Sequence, residues 1–206
     1  MNLFLLWNAF SFRKEITYIG SIFFIVLLLP IIAVIILTQT GINVVSNKLA
    51  NLNRADKTVE VLNPLNGSVV TNVNGPFSWP IKGIVTLEFG ESDLPYQPFH
   101  TGIDIANKYG AQITPFAKGK VIYASEISWG FGKHIILDNG NNVTSIYAHL
   151  SQIYVNVGQE VTTGQIIGAE GATGWATGPH LHFQINVFGI PVNPRTFLGN
   201  VVASAE

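Results

Sequence analysis

From Ile16 to Leu37 the chain reads ITYIGSIFFIVLLLPIIAVIIL, without a charged residue. That run limits what the polypeptide can fold into. Roughly 20 apolar residues cross a bilayer as a helix, whereas a helix on the surface of a water-soluble domain needs a polar face, and this run has none. Pro30 lies inside it, which lipid-embedded helices accommodate. A cleaved leader would carry an apolar region of roughly 7 to 15 residues followed by small residues. Here the run is longer, and Thr38-Gln39-Thr40-Gly41 is a poor processing site. The run predicts a single transmembrane anchor over 16–38. Arg13 and Lys14 precede it, and the first basic residue after it is Lys48. The positive-inside tendency then leaves 1–15 in the cytoplasm and everything after the anchor on the exoplasmic side.

The formal charge is −1, and no run or cluster of basic residues offers the patch that nucleic acid requires. Cysteine is absent. Disulfides and thiolate ligands are therefore excluded, and His, Asp and Glu are the only donors for a zinc ion.

Residues 39–76 are rich in Asn, Val, Thr and Ser, with turn signals at Asn63-Pro64 and Asn66-Gly67. They read as an exoplasmic tether with a short helix near 45–53 and an extended stretch near Val69. From Phe77 the texture changes to short β-rich runs bounded by Gly, Pro, Asn or Asp. These are 84–89, 119–123, 134–137, 143–147 and 182–185, with two further short strands expected at 157–161 and 163–168. The pattern is that of an all-β, antiparallel domain rather than of βαβ units. Asp138-Asn139-Gly140-Asn141 is the strongest hairpin signal. One domain over 77–199, with a tail at 200–206, accounts for the length.

Two histidines one residue apart, His180 and His182, stand in Gly178-Pro179-His180-Leu181-His182-Phe183. On an extended strand both imidazoles leave from one face and Leu181 from the other. Neutral imidazole ligates zinc and accepts protons near neutral pH, so one rigid strand can supply a ligand and a base. His100-Thr101-Gly102-Ile103-Asp104 is a poor helix because of its glycine and β-branched residues. It reads as a loop ending in His100 and a strand opening at Asp104, with Gly102 as the bend between them.

Read in order, Phe77-Ser78-Trp79-Pro80, His100-x-Gly-x-Asp104, Tyr147-Ala148-His149-Leu150, the Gly-Gln repeats of 155–168 and Thr173-Gly-x-x-Thr-Gly-Pro-His-Leu-His-Phe183 resemble the lysostaphin- and LytM-like zinc metallopeptidases. Those enzymes cut peptide cross-links of peptidoglycan. The resemblance covers about Phe77 to Leu198 and implies an antiparallel β-sandwich-like domain. It implies that His100, Asp104 and His182 hold one zinc ion and that His149 and His180 are the catalytic pair. Three protein ligands leave a tetrahedral zinc one open position. Which of the two histidines takes the proton is open. Trp175 and Thr177 are candidates for substrate contact, His134 is structural, and Tyr147 belongs to the core. Gln184 stands where the family often has Glu, and Asn139 where it often has His.

These readings predict a membrane-anchored zinc metalloendopeptidase acting on peptidoglycan peptides, on the cell-wall or periplasmic side, with cell-envelope or secretion-apparatus proteins as further partners. The alternative is a catalytically silent regulator of cell-wall enzymes, a class defined by a broken ligand set; all five positions are intact here. A biotinyl- or lipoyl-carrier module shares the Gly-Gln pattern but needs a lysine at a hairpin tip, and Gly171-Ala172-Thr173-Gly174 has none.

Overall fold

Leu181–Val187 alternates apolar and polar residues without a break, and it forms the strand on which the rest of the domain is organised. Leu181, Phe183, Ile185 and Val187 are all fully buried on one face. Each contributes roughly 1.5–3 kcal/mol of burial. His182, Gln184 and Asn186 leave from the other face, so the same alternation that builds the core lifts a polar ladder out of it. The structure is a computed structural model describing residues 17–26, 28–29, 40–53, 58–92 and 99–199.

The strands are β1 (Ala50–Asn53), β2 (Thr58–Leu62), β3 (Val69–Asn74), β4 (Ile84–Leu87), β5 (Ile103–Ala106), β6 (Gln112–Ile113) and β7 (Gly119–Glu126). They continue with β8 (Lys133–Gly140), β9 (Val143–Ala148), β10 (Leu150–Ile153), β11 (Glu160–Val161), β12 (Gly168–Glu170), β13 (Leu181–Val187) and β14 (Ile190–Val192). The large sheet runs β11-β7-β8-β9-β13-β5-β4, with β14 also on β13, and every pairing is antiparallel. A smaller antiparallel sheet, β10-β12-β6, lies against it and buries Leu150, Ile113 and Ile167 near Ile135. The expected mostly-β, antiparallel class is what the chain adopts.

Two details differ from the sequence reading. The corner of the β8–β9 hairpin is Asn141-Asn142, both in the left-handed region at φ 54° and 60°, which is the requirement of a type I′ turn. Gly140, φ 77°, sits instead beside the bulge between Asp138 and Gly140. The stretches 157–161 and 163–168 contribute only the two residues of β11 and the first residue of β12. Left-handed glycines at Gly158 and Gly164 interrupt the ladder there.

The described residues divide into two units, one through Gly41 and one from Ile42. In the first, residues 17–26, 28 and 29 are helical, and the side chains of 17–26 are exposed. Among the described residues no helix is long and apolar enough to cross a membrane. The other residues of the expected anchor, Pro30 included, lie outside the described residues, as do 1–15 and 200–206. In the second unit, residues 42–49 are helical and β1-β2-β3 form an antiparallel sheet. The expected tether thus holds a helix that ends earlier than expected and two strands besides the one at Val69.

β12 ends in a buried acid. Glu170 is fully buried, and Oε1 accepts from the Asn107 backbone N–H at 3.0 Å while Oε2 has no partner among the described residues. Burial outweighs that one hydrogen bond and pushes the carboxyl up from 4.5 to about 7. Between those values the folded chain keeps a proton that the unfolded chain releases. Stability is therefore lost as pH rises through the window, by up to about 3 kcal/mol. Glu170→Gln is expected to match the parent near pH 4.5 and to melt several degrees higher at pH 8. Parallel melting curves for the two proteins across that range would remove Glu170 as the cause.

Candidate metal and catalytic site

Three elements carry the candidate ligands to one point. His182 lies on β13, directly opposite Asp104 on β5, and opposite Ala148 on β9 from the other side. His100 comes from the loop before β5. Its Nε2 lies 2.9 Å from His182 Nδ1 and 3.0 Å from Asp104 Oδ1, and His182 Nδ1 lies 2.9 Å from the same carboxylate oxygen. Gly102 lets β5 come this close. A Cβ there would stand 2.4 Å from the Phe183 carbonyl oxygen and 3.0 Å from the His182 ring. The chain bends at Thr101-Gly102, as the sequence suggested, but with a φ outside the left-handed region, so it is the close approach that requires glycine.

The far side of each imidazole is anchored. His100 Nδ1 donates to the Glu88 carbonyl at 3.1 Å, and Glu88 is itself gripped by Arg195. His182 Nε2 faces Gln184 Oε1 at 3.4 Å, and that oxygen also accepts from Thr101 Oγ1 at 2.6 Å. Gln184 Nε2 donates to Asn186, which fixes the amide's orientation. Gln184, a departure from the common family pattern, thus supplies the carbonyl that orients a ligand.

This anchoring leaves lone pairs on His100 Nε2 and His182 Nδ1, facing each other and a carboxylate oxygen. Three acceptors within 3.0 Å repel unless a cation or protons lie between them. Ligand atoms around a tetrahedral zinc sit about 3.3 Å apart, so the set fits such an ion with little adjustment. With protons rather than a metal ion between them, burial would raise the Asp104 pKa, but hydrogen bonds and charge from His100 and His182 outweigh it and hold the carboxyl well below the usual carboxylate range. The cluster is able to hold a metal ion.

His149 and His180 flank this triangle, their ring centroids 4.7 Å apart. His149 is the joint at which the chain leaves β9 in the large sheet and enters β10 in the small one, and it takes a left-handed φ of 63° to do so. Such a conformation in a non-glycine residue is uncommon, and it aims the ring at the site. Its Nδ1 donates to the Thr173 carbonyl at 2.8 Å. Burial, then the neighbouring His182 and His180, push it down to about 4, so it is neutral at pH 7. His180 Nδ1 donates to the Gly178 carbonyl at 2.9 Å and Nε2 lies 3.6 Å from Asp104 Oδ2. Both rings are thus held by Nδ1 and turn Nε2 toward the site.

The loops beside His149 interlock. His149 N donates to Phe131 O, Trp175 N to Gly130 O, and Lys133 N to Thr173 Oγ1. A Cβ on Gly132 or Gly174 would meet backbone of the opposite loop within 2.6 Å, so only glycine fits at either place. Trp175 lines an apolar cleft of about 320 Å³ with Ile127, Trp129, Phe131, His149 and His182. Thr177 is exposed in its loop and does not line that cleft.

His134, buried and stacked on Tyr123, hydrogen-bonds to Gly132 O and stands outside the cluster. Tyr147 is fully buried, its hydroxyl accepting from Phe116 N. Asn139 bridges Lys118 O and Ser145, as a structural residue would. Sequence reasoning missed Trp129 and Thr173. The run Ile127-Ser-Trp-Gly-Phe-Gly132, with aromatics set between glycines, was the available signal for the first of them.

Peptidase family M23 matches this chain over residues 98–194, a segment that contains all five site residues. The catalytic domain of the antimicrobial peptidase lysostaphin from Staphylococcus simulans superposes with a TM-score of 0.54 at 32% identity, covering 57% of this chain and 93% of that one. The chain belongs to peptidase family M23. Among M23 relatives, the murein hydrolase activator NlpD of Salmonella dublin is 37% identical over 131 residues, 62% of this chain and 33% of NlpD. The DD-carboxypeptidase/endopeptidase Mpg of Neisseria meningitidis serogroup B is 34% identical over 126 residues, 61% of this chain and 27% of Mpg. The chain spans about a third or less of the length of these curated relatives.

Proposed function

We propose that the chain is a membrane-anchored zinc metalloendopeptidase that hydrolyses peptide cross-links or stem peptides of peptidoglycan. The convergence of His100, Asp104 and His182, with His149 and His180 intact beside them, carries this reading. Zinc held by the three ligands would supply Lewis acidity, polarising a carbonyl and acidifying a water. The chain's own residues do the rest. The Nε2 atoms of His149 and His180 border the same space, and either can take a proton or pass one to a leaving amine. Thr173 and Gly178 carbonyls hold those rings in the tautomer that leaves Nε2 free.

Full-length protein in detergent is expected to release new amino termini from purified peptidoglycan, and no new reducing ends. A chelator stops the release and added zinc restores it. The likeness to NlpD favours one other reading, a regulator of wall hydrolases. Zinc-loaded protein that yields no products would favour it over the peptidase.

The anchor and the exoplasmic location belong to the same proposal. The uncharged run of 16–38, the basic residues before it and the exposed Tyr18, Ile19, Ile22 and Phe23 support them, since lipid would cover those side chains. The domain lengths of 16–38 and 77–199 and the envelope or secretion-apparatus partners stand on the same footing. Protease added to spheroplasts is expected to remove the C-terminal domain. Protection until the membrane is lysed would invert the topology and exclude a wall substrate.

A further inference from the structure

Arg195 opens the short C-terminal helix Arg195–Leu198, and β14, paired with the strand of His182, leads the chain to it. Its guanidinium grips Glu88 by two bonds, Nε donating to Oε2 at 3.3 Å and Nη2 to Oε1 at 2.5 Å. A two-pronged grip of this kind sets orientation as well as position. The guanidinium carbon also stands 5.1 Å from the centre of the Trp79 ring, and Arg195 N donates to Asn193 Oδ1 at 2.9 Å. Arg195 is thus held both at its backbone and along its side chain.

Glu88 begins the turn that carries His100. β4 ends the strand order of the large sheet, and its register with β5 stops at Leu87. Past that point three bonds tie His100 to residues 88–91. The Glu88 carbonyl accepts from His100 Nδ1 at 3.1 Å, the Glu91 carbonyl from His100 N at 2.9 Å, and the His100 carbonyl from Gly90 N at 2.8 Å. A carbonyl can only accept, so the first bond puts the ring proton on Nδ1 and leaves the Nε2 lone pair for a metal. Resting on the zinc-site reading above, we propose that Arg195 is a positioning residue for the metal: by clamping Glu88 it fixes the turn that aims His100 Nε2 at Asp104 and His182. Groups that orient a ligand from outside the ligand set change metal affinity about 10–100-fold. Arg195 acts through Glu88, so the lower end of that range is expected.

Competition with a chelator of known affinity, on full-length protein in detergent, tests this. Arg195→Gln and Glu88→Gln are each expected to bind zinc about tenfold more weakly than the parent. The double variant should be no weaker than the worse of the two, because both cut the same link. Arg195→Lys, which keeps the charge without the fork, should lie between Arg195→Gln and the parent. Phe197→Leu separates positioning from stability, since Phe197 is on the same helix but packs on Phe77 and Phe116. It should lower the melting temperature of the zinc-free protein and leave zinc affinity at the parental level. Parental affinity in both Gln variants, independent losses that multiply in the double variant, or an equal loss in Phe197→Leu overturns the proposal.

The ring proton of His100, followed by NMR, gives a readout free of metal and of turnover. Donating to the Glu88 carbonyl, the Nδ1–H is expected to be protected from exchange with water in the zinc-free protein, its signal assigned by absence from His100→Gln. Should the parent take up no zinc, the zinc-site reading fails, and this signal still decides the clamp. Exchange about tenfold faster in Arg195→Gln and Glu88→Gln, but not in Phe197→Leu, supports it. An unprotected ring proton in the parent, or parental protection in both Gln variants, overturns it.

Discussion

His182→Ala is expected to strip zinc from the protein, while His149→Ala keeps the zinc and loses turnover. The two imidazoles lie 5.9 Å apart, centroid to centroid, yet their free nitrogens serve different tasks. His182 Nδ1 is one corner of a triangle with sides of 2.9–3.0 Å, and removing it leaves only a histidine and a carboxylate. Metal analysis after dialysis against a weak chelator should find His182→Ala empty. His149→Ala should hold as much zinc as the parent, with hydrolysis reduced about 10²–10⁴-fold, the usual contribution of a positioned acid or base. Heat stability should separate the two further. Zinc is expected to raise the parent's melting temperature, through binding to the folded state alone. In His182→Ala that rise disappears, because the affinity has gone. Equal zinc loss in both variants would place His149 among the ligands and dissolve the division of labour.

The legible parts of this molecule are those written at short range. Leu181–Val187 announces its strand because strict alternation has one solution, and it thereby announces that His182 faces away from the core. The triangle itself was legible only through the family pattern, since His100 and His182 are distant in sequence and no periodicity links them. What was not legible depends on backbone meeting backbone. Gly130, Gly132 and Gly174 look like ordinary loop glycines in a sequence, and only the folded chain shows that two loops interpenetrate there. Trp129 followed them into obscurity, because its neighbour Trp175 is brought to it by that contact. The Gly-Gln repeats misled in the opposite direction. Their apolar residues do reach the core, as Val161 and Ile167 show, but left-handed glycines keep most of the backbone off the ladder.

Gly102 compresses this lesson into one position of the His-x-Gly-x-Asp motif. Its neighbours are the carbonyl oxygen of Phe183 and the ring of His182, both on β13. β13 is held by β9 on one side and by β5 and β14 on the other, so its backbone cannot retreat. A methyl at Gly102 must then displace either the start of β5, which carries Asp104, or the His182 ring. Overpacking of this kind costs about 1–3 kcal/mol, or roughly 2–4 °C in melting temperature for each kcal/mol in a domain of this size. The larger effect should fall on the metal. A ligand shifted by a few tenths of an ångström leaves both its partner Gln184 and the triangle, and disturbances of that kind lower metal affinity about 10–100-fold. Gly178→Ala is the matched control: a Cβ there meets nothing within 4 Å, and its φ is not in the left-handed region. Competition with a chelator of known affinity should show Gly102→Ala binding zinc at least tenfold more weakly than Gly178→Ala, which should equal the parent. Parental affinity in Gly102→Ala would mean that His182 is not held against Gly102 in the metal-bound protein, and the tight approach of β5 to β13 would no longer explain the motif's glycine.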